Sequence, residues 1–179
     1  MANFMELAPR AQRQIIRRME PLEPPALHQA QAAYGWLELG NLEEAFAELE
    51  RLPEELQLLP AVQAVRLDCL MAAKDWNAAV KLAQVLCGQW AEEPGLWLHH
   101  AYAVRRCAGG SIEAAYELLA PCVERFPEEW LIPYNVACYL CQMERLDEAR
   151  AMLEIARAKG GERVDTMAKD DEDLAPLNL

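Results

Sequence analysis

Apolar side chains recur along this chain with the period of an α-helix. Around residue 140, Val136, Leu140 and Met143 fall on one helical face. After a short polar turn a second apolar face begins, formed by Leu146, Ala149, Leu153 and Ala156. The pattern predicts two antiparallel helices joined by a tight turn.

The same helix–turn–helix pattern occurs four times. Four segments place a polar turn just before an alanine: GNLEEA, KDWNAA, GSIEAA and ERLDEA. Their last residues, Ala45, Ala79, Ala115 and Ala149, lie 34, 36 and 34 residues apart. Because a small side chain lets two helix backbones cross closely, we expect each alanine at the crossing of its helix pair.

The periodicity predicts eight helices in four pairs: 26–39 with 42–52, 60–73 with 76–89, 95–107 with 111–125, and 130–143 with 146–159. Pro121 lies inside the second helix of the third pair, where it removes the hydrogen bond to the Glu117 carbonyl and should kink the helix. The two extra residues of the 36-residue interval fall either at 91–95 or at the glycine-rich 107–110. We favour 107–110, because a longer turn there keeps the helical pattern on both sides.

The period and the small residues resemble the tetratricopeptide repeat (TPR) family, whose 34-residue unit is a helix–turn–helix. Ala33 and Ala45 match the small positions of the first unit, and Ala137 and Ala149 those of the fourth, whereas Leu67 departs from the pattern in the second. The resemblance implies an all-α fold, an α-solenoid of about four right-handed TPR-type repeats. These repeats would span 26–59, 60–94, 95–129 and 130–159.

The two ends of the chain differ from the repeats. Residues 1–25 are expected to form an N-terminal segment, in which 9–20 has the pattern of a short basic amphipathic helix. Gly160 and Gly161 should end the last repeat helix, and 160–179 is predicted to be a C-terminal capping helix with an acidic tail. Residues 134–177 also resemble the closing segment of many bacterial TPR proteins, which implies a structural role for that region.

Composition restricts the classes of partner. The formal net charge of −12 argues against a nucleic-acid partner, because such binding needs a basic surface. The sequence contains no apolar run long enough to span a bilayer and no secretory signal at its start, so we expect a cytoplasmic protein with no membrane partner. In a cytosol the six cysteines would stay reduced.

Cys138 and Cys141 form the one Cys-x-x-Cys in the chain. Three residues apart on a helix, the two thiols share a face and could supply two metal ligands, but structural zinc takes four. A redox pair normally sits at a helix N-terminus, whereas these lie in mid-helix. We therefore interpret them as small packing residues, with a thiol- or metal-dependent regulator as the alternative. His99 and His100 have no nucleophile at readable spacing, so neither an enzyme nor a cofactor is predicted.

The TPR resemblance implies that the first helix of each pair lines a concave groove. We therefore predict a non-enzymatic protein–protein interaction adaptor that binds a peptide or an amphipathic helix there. A chaperone for a secreted protein is an alternative within this class. A homodimer through the groove or through residues 9–20 is a further expectation, and packing between repeats is the alternative role for the groove tyrosines. The predicted groove residues are Leu27, Gln31, Tyr34, Val65, Asp68, Leu98, His99, Tyr102, Arg105, Tyr134, Asn135 and Cys138.

Overall fold

The computed structural model describes residues 22–178, so the predicted amphipathic helix over 9–20 lies outside the described residues. Within 22–178 the chain forms eleven α-helices and one 3-10 helix, with no β-strand. The all-α prediction is confirmed. No helix of this range has the length and apolar character needed to cross a bilayer. The chain divides into two compact units, one ending at Gly95 and the other beginning at Leu96.

The N-terminal unit holds five helices: α1 (Ala26–Glu38), α2 (Leu42–Glu50), α3 (Glu54–Gln57), α4 (Pro60–Ala72) and α5 (Trp76–Gln89). Helix α1 packs against α2, α4 packs against α5, and both α1 and α2 contact α4. The short α3 was not predicted. Its last residue, Gln57, donates a side-chain hydrogen bond to the Leu52 carbonyl at 2.8 Å and accepts one from Gln63 at 2.6 Å. These bonds fix the connection between the two helix pairs.

The C-terminal unit begins within α6 (Pro94–Val104). It continues with α7 (Ile112–Leu119), α8 (Cys122–Arg125), α9 (Leu131–Gln142), α10 (Leu146–Gly160), α11 (Glu162–Ala168) and the 3-10 helix (Glu172–Leu177). Helix α9 is the centre of this unit, because it packs against α7, α8, α10 and the 3-10 helix. All of its residues except Asn135 and Gln142 are buried.

The helix pairs lie close to their predicted bounds, with two differences in the third pair. Pro121 does more than kink the predicted helix over 111–125. Helix α7 ends at Leu119 and α8 starts at Cys122, with Pro121 as its N-cap. Residues 105–111 separate α6 from α7, whereas three residues separate the helices of each other pair. These bounds agree with extra residues at 107–110.

Three of the four turns within pairs share one backbone geometry. Gly40, Lys74 and Glu144 have positive φ angles of 75°, 57° and 61°. At each turn the N–H of this residue donates to the carbonyl three residues earlier, and the next N–H donates to the carbonyl five residues earlier. This is the Schellman motif, which satisfies the last carbonyls of the first helix.

The alanines at the repeat period are completely buried. Ala45, Ala79, Ala115 and Ala149 each have an exposed fraction of 0%, as do Ala33, Ala101 and Ala137. Their burial is the property expected where two helices cross closely. All four pairs therefore share the buried alanine, and three of them share the turn geometry. The repeat architecture itself remains a prediction, as does the way the four pairs stack.

Candidate functional site

The acidic end of the chain lies against α9. The carboxylate of Asp171 accepts a hydrogen bond from the Tyr134 hydroxyl at 2.8 Å, and the Cys138 thiol lies 3.7 Å from the same oxygen. Tyr134 and Cys138 are one helical turn apart on α9, so both point to one side. Asp171 is only 6% exposed. A buried carboxylate is costly without such donors, so these contacts explain how it is accommodated.

A second carboxylate is held by an arginine. The guanidinium of Arg105, just after α6, donates to both oxygens of Asp173, at 2.5 and 2.9 Å. This bond raises the pKa of Arg105 above its usual value. The same guanidinium lies 5.7 Å from the centre of the Tyr139 ring. The Gln142 side chain adds a hydrogen bond to the main-chain carbonyl of Asp173 at 3.2 Å.

Two leucines complete the contact. Leu174 and Leu177 of the 3-10 helix are 1% and 4% exposed. The helix is started by Asp171, whose second oxygen accepts from the Asp173 N–H at 3.0 Å. We call residues 171–177 the docked tail. The side chains that hold its polar groups, here called the tail-binding face, are Arg105, Tyr134, Cys138 and Gln142.

The tail-binding face acts through hydrogen-bond donors that stay protonated. Burial raises the pKa of Tyr134 above its usual value, and the neighbouring Cys138 and Asp171 raise it further. Burial, followed by the charges of Asp171 and Asp173, raises the pKa of the Cys138 thiol well above its ordinary value. A thiolate is needed for nucleophilic attack or metal binding, and this environment disfavours one. The arrangement is suited to recognising carboxylates.

The second cysteine of the Cys-x-x-Cys pair is also a packing residue. Cys141 is 2% exposed, and burial raises its pKa to about 11. All six cysteines are free thiols. Within residues 22–178, no group of three or more His, Cys, Asp or Glu side chains is placed to hold a metal ion. The described side chains therefore give no support to a thiol- or metal-dependent regulator.

The paired histidines lie inside α6. His99 and His100 are 3% and 8% exposed, and the Nδ1 atom of His100 is buried without a hydrogen-bond partner. Burial lowers the pKa of His100 below its usual value. A neutral imidazole enclosed in this way contributes to packing.

Most of the predicted groove residues are buried in the chain as it stands. Tyr34 and Val65 belong to the apolar core of the N-terminal unit. The buried members are Tyr34, Val65, Asp68, Leu98, His99, Tyr134 and Cys138. The exposed or partly exposed members are Leu27, Gln31, Tyr102, Arg105 and Asn135. Of the three groove tyrosines, Tyr34 and Tyr134 are buried and Tyr102 is partly exposed. Packing between repeats remains the alternative role for them.

Sequence reasoning found Arg105, Tyr134 and Cys138 but missed what they bind. It predicted a C-terminal capping helix with an acidic tail over 160–179 and assigned no contact to the acidic side chains. In the structure Asp171 and Asp173 instead point at donors on α9 and after α6. The segment DEDLAPL has three consecutive acidic residues before its two leucines, so its sequence does not show which carboxylates are bound.

A surface pocket of about 400 Å³ also lies in the C-terminal unit. Its lining includes Tyr116, Pro121, Val136, Leu140 and Met152, next to the helix break at Pro121. The acidic residues in its lining are Glu124 and Glu148, and Glu148 is paired with Arg145 at 2.6 Å. These side chains form no titratable cluster suited to catalysis.

Comparisons with protein-family models, with curated proteins and with solved structures found no match. The TPR resemblance, the right-handed stack and the concave groove therefore remain predictions from the sequence.

Proposed function

We propose that this protein is a non-enzymatic interaction module that binds a peptide segment of a partner protein at the tail-binding face. The observation that carries the proposal is that this face already holds a peptide segment, the docked tail. Side chains from α9 and from the end of α6 bind its carboxylates, and its two leucines are buried. A surface that binds one segment in this way has the chemistry to bind another.

The residue types of the face support this proposal. The Arg105 guanidinium makes two parallel hydrogen bonds to one carboxylate, a geometry that discriminates a carboxylate from a neutral amide. The Tyr134 hydroxyl is buried on a mostly apolar helix and donates to a second carboxylate. Arginine and tyrosine are also the residue types that most often anchor protein interfaces.

The other functions considered from the sequence have weaker support. A thiol regulator needs accessible thiolates, whereas Cys138 and Cys141 are buried with raised pKa values. A chaperone for a secreted protein would also bind a peptide segment, but no contact in the described residues distinguishes that use. The adaptor is therefore the function that we put forward.

The test is affinity capture with the full chain, followed by identification of the bound proteins by mass spectrometry. Arg105→Glu should remove the partner, because it replaces the carboxylate-binding group by a like charge. Arg150→Glu is the matched control, since Arg150 lies on α10 with half of its side chain exposed. Circular dichroism establishes that both variants are folded. A capture unaffected by Arg105→Glu would contradict the proposed site, and the absence of any enriched protein would contradict the function.

A further inference from the structure

We infer that the docked tail mimics the partner, so that the tail-binding face recognises an acidic peptide with the pattern Asp-x-Asp-Leu-x-x-Leu. The partner segment then binds in place of residues 171–177. This inference rests on the proposed function and specifies the class of peptide that the same site binds. Its basis is the way that each position of the tail is held.

The first acidic position is specified by burial and by donors. Asp171 is 6% exposed, and both of its oxygens are used: one by Tyr134 and Cys138, the other by the Asp173 N–H. An asparagine there would turn one acceptor oxygen into a donor that faces other donors. A longer glutamate would have to place its carboxylate further along the same crowded face. The site therefore selects aspartate.

The second acidic position is specified by geometry. Asp173 accepts two hydrogen bonds from Arg105, and its side chain is 18% exposed. Two parallel N–H groups require two acceptor oxygens, so an amide would lose half of the contact. The hydrogen bond from Gln142 goes to the main-chain carbonyl of Asp173, so it does not select which side chain occupies this position of the peptide.

The remaining positions divide by exposure. Leu174 and Leu177 are buried, three residues apart on one side of the 3-10 helix. Ala175 and Pro176 are exposed. The exposed positions tolerate variation in a partner, and the buried ones require an apolar side chain. Burial and charge together give the stated pattern.

The tail is placed so that it can be exchanged. It is a single 3-10 helix of six residues that packs on α9 and α10, and its release leaves the contact between those two helices in place. A tethered segment competes with free ligand at an effective concentration of about millimolar. The net charge of −12 opposes an acidic partner at long range, but salt screens that field beyond about 8 Å under physiological conditions. Recognition is therefore local, and in the free chain it is blocked by the tail.

The experiment measures binding of a fluorescent peptide with the sequence of residues 169–178, KDDEDLAPLN, to full-length chains. A chain with Asp173→Asn and Leu177→Ala holds its own tail less firmly. It should bind the peptide at least tenfold more tightly than the wild type does. Adding Arg105→Gln should remove that binding, and a peptide with both aspartates at 171 and 173 replaced by asparagine should not bind. As a control, Ala175→Ser with Pro176→Ala changes only exposed positions and should behave like the wild type.

A folded variant with the loosened tail that does not bind millimolar peptide would overturn the inference, as would equal affinities for variant and wild type. If the variant does not fold, hydrogen exchange of the wild-type chain tests whether the tail is released while the rest of the chain stays folded. Amides of 172–177 should exchange at least tenfold faster than those of α9, through release of the tail alone. Exchange of both at one common rate would show a permanent structural cap.

The two proposals fail in different ways. Capture of a partner that depends on Arg105 but is not displaced by the peptide would refute the acidic pattern and leave the interaction function standing. Tight binding of the peptide to the variant with the loosened tail, without any captured partner, would refute the interaction function and leave the acidic pattern standing.

Discussion

The guanidinium of Arg105 binds the carboxylate of Asp173 through two hydrogen bonds, across 68 residues of sequence. The two side chains are 15% and 18% exposed, so water competes little for either group. A planar fork matched to a carboxylate is stronger and more directional than a single ion pair. This contact ties the end of the chain to the end of α6.

A double-mutant cycle measures the strength of that pair. Arg105→Gln and Asp173→Asn, singly and together, should give a coupling of roughly 1–3 kcal/mol in the free energy of unfolding, because each single change leaves a mostly buried charge without its partner. Arg105→Lys should recover only part of it, since an ammonium cannot make the parallel pair. The pair Arg150 and Asp147, whose side chains are 50% and 103% exposed, is the control and should show no measurable coupling. A similar result for both pairs would mean that the tail contact contributes little.

Thiol labelling tests the interpretation of the Cys-x-x-Cys pair. Cys138 and Cys141 are buried with raised pKa values, and Cys107 is the one cysteine that is partly exposed. In the native chain at pH 8, a small thiol reagent should therefore modify Cys107 first and the buried cysteines much more slowly, with Cys138 reached only through release of the docked tail. Counting modified thiols by mass spectrometry with and without denaturant checks this. Rapid native labelling of Cys138 would contradict its placement under the docked tail.

The turns predict that two substitutions raise stability. Lys74 and Glu144 adopt positive φ angles of 57° and 61°, where glycine is free of strain and other residues are not. Lys74→Gly and Glu144→Gly should each raise the free energy of unfolding by roughly 0.5–1 kcal/mol, the relief of left-handed strain less the entropy cost of glycine. Gly40→Ala, at the equivalent turn with φ 75°, should have the opposite effect. Chemical denaturation of the three variants measures all of these changes, and a loss of stability in both glycine variants would be evidence against the turn geometry.

His100 should make stability depend on pH. Burial lowers its pKa in the folded chain, so below about pH 6.5 the unfolded chain binds the proton first. Stability should therefore be complete above that pH and decrease as the pH falls towards the folded-state pKa, by at most about 1.4 kcal/mol per pH unit. His100→Phe should reduce this slope while His99 remains. Denaturant titrations at pH 7.5 and 5.5 measure it, and an unchanged slope would assign the dependence to other groups.

The helix pairs could be predicted because their signals are local. Ala45, Ala79, Ala115 and Ala149 repeat at fixed spacing, and each is fully buried in the structure. The caps follow the same logic, since Asn41, Asp75 and Ser111 each accept a hydrogen bond from the N–H three residues later. The fixed spacing of the alanines in the sequence therefore corresponds to four equally buried positions in the structure.

The tail contact could not be predicted, because it joins residues distant in sequence without any periodic pattern. Nothing in the surroundings of Arg105 indicates Asp173 rather than another of the 29 acidic residues. The burial of Val65 was missed for a related reason, since the helix that carries it packs against several neighbours and so presents no open face. Short α3 has only four residues, too few to show a helical period.

The most direct test of the central claim is hydrogen exchange of the full chain, free and in complex with the partner whose capture depends on Arg105. If the partner takes the place of the tail, amides of 172–177 should exchange faster in the complex, while those of α9 should stay protected or exchange more slowly. A tail that remains equally protected in the complex would show that the partner binds elsewhere, and it would contradict the exchange of tail for partner at this face.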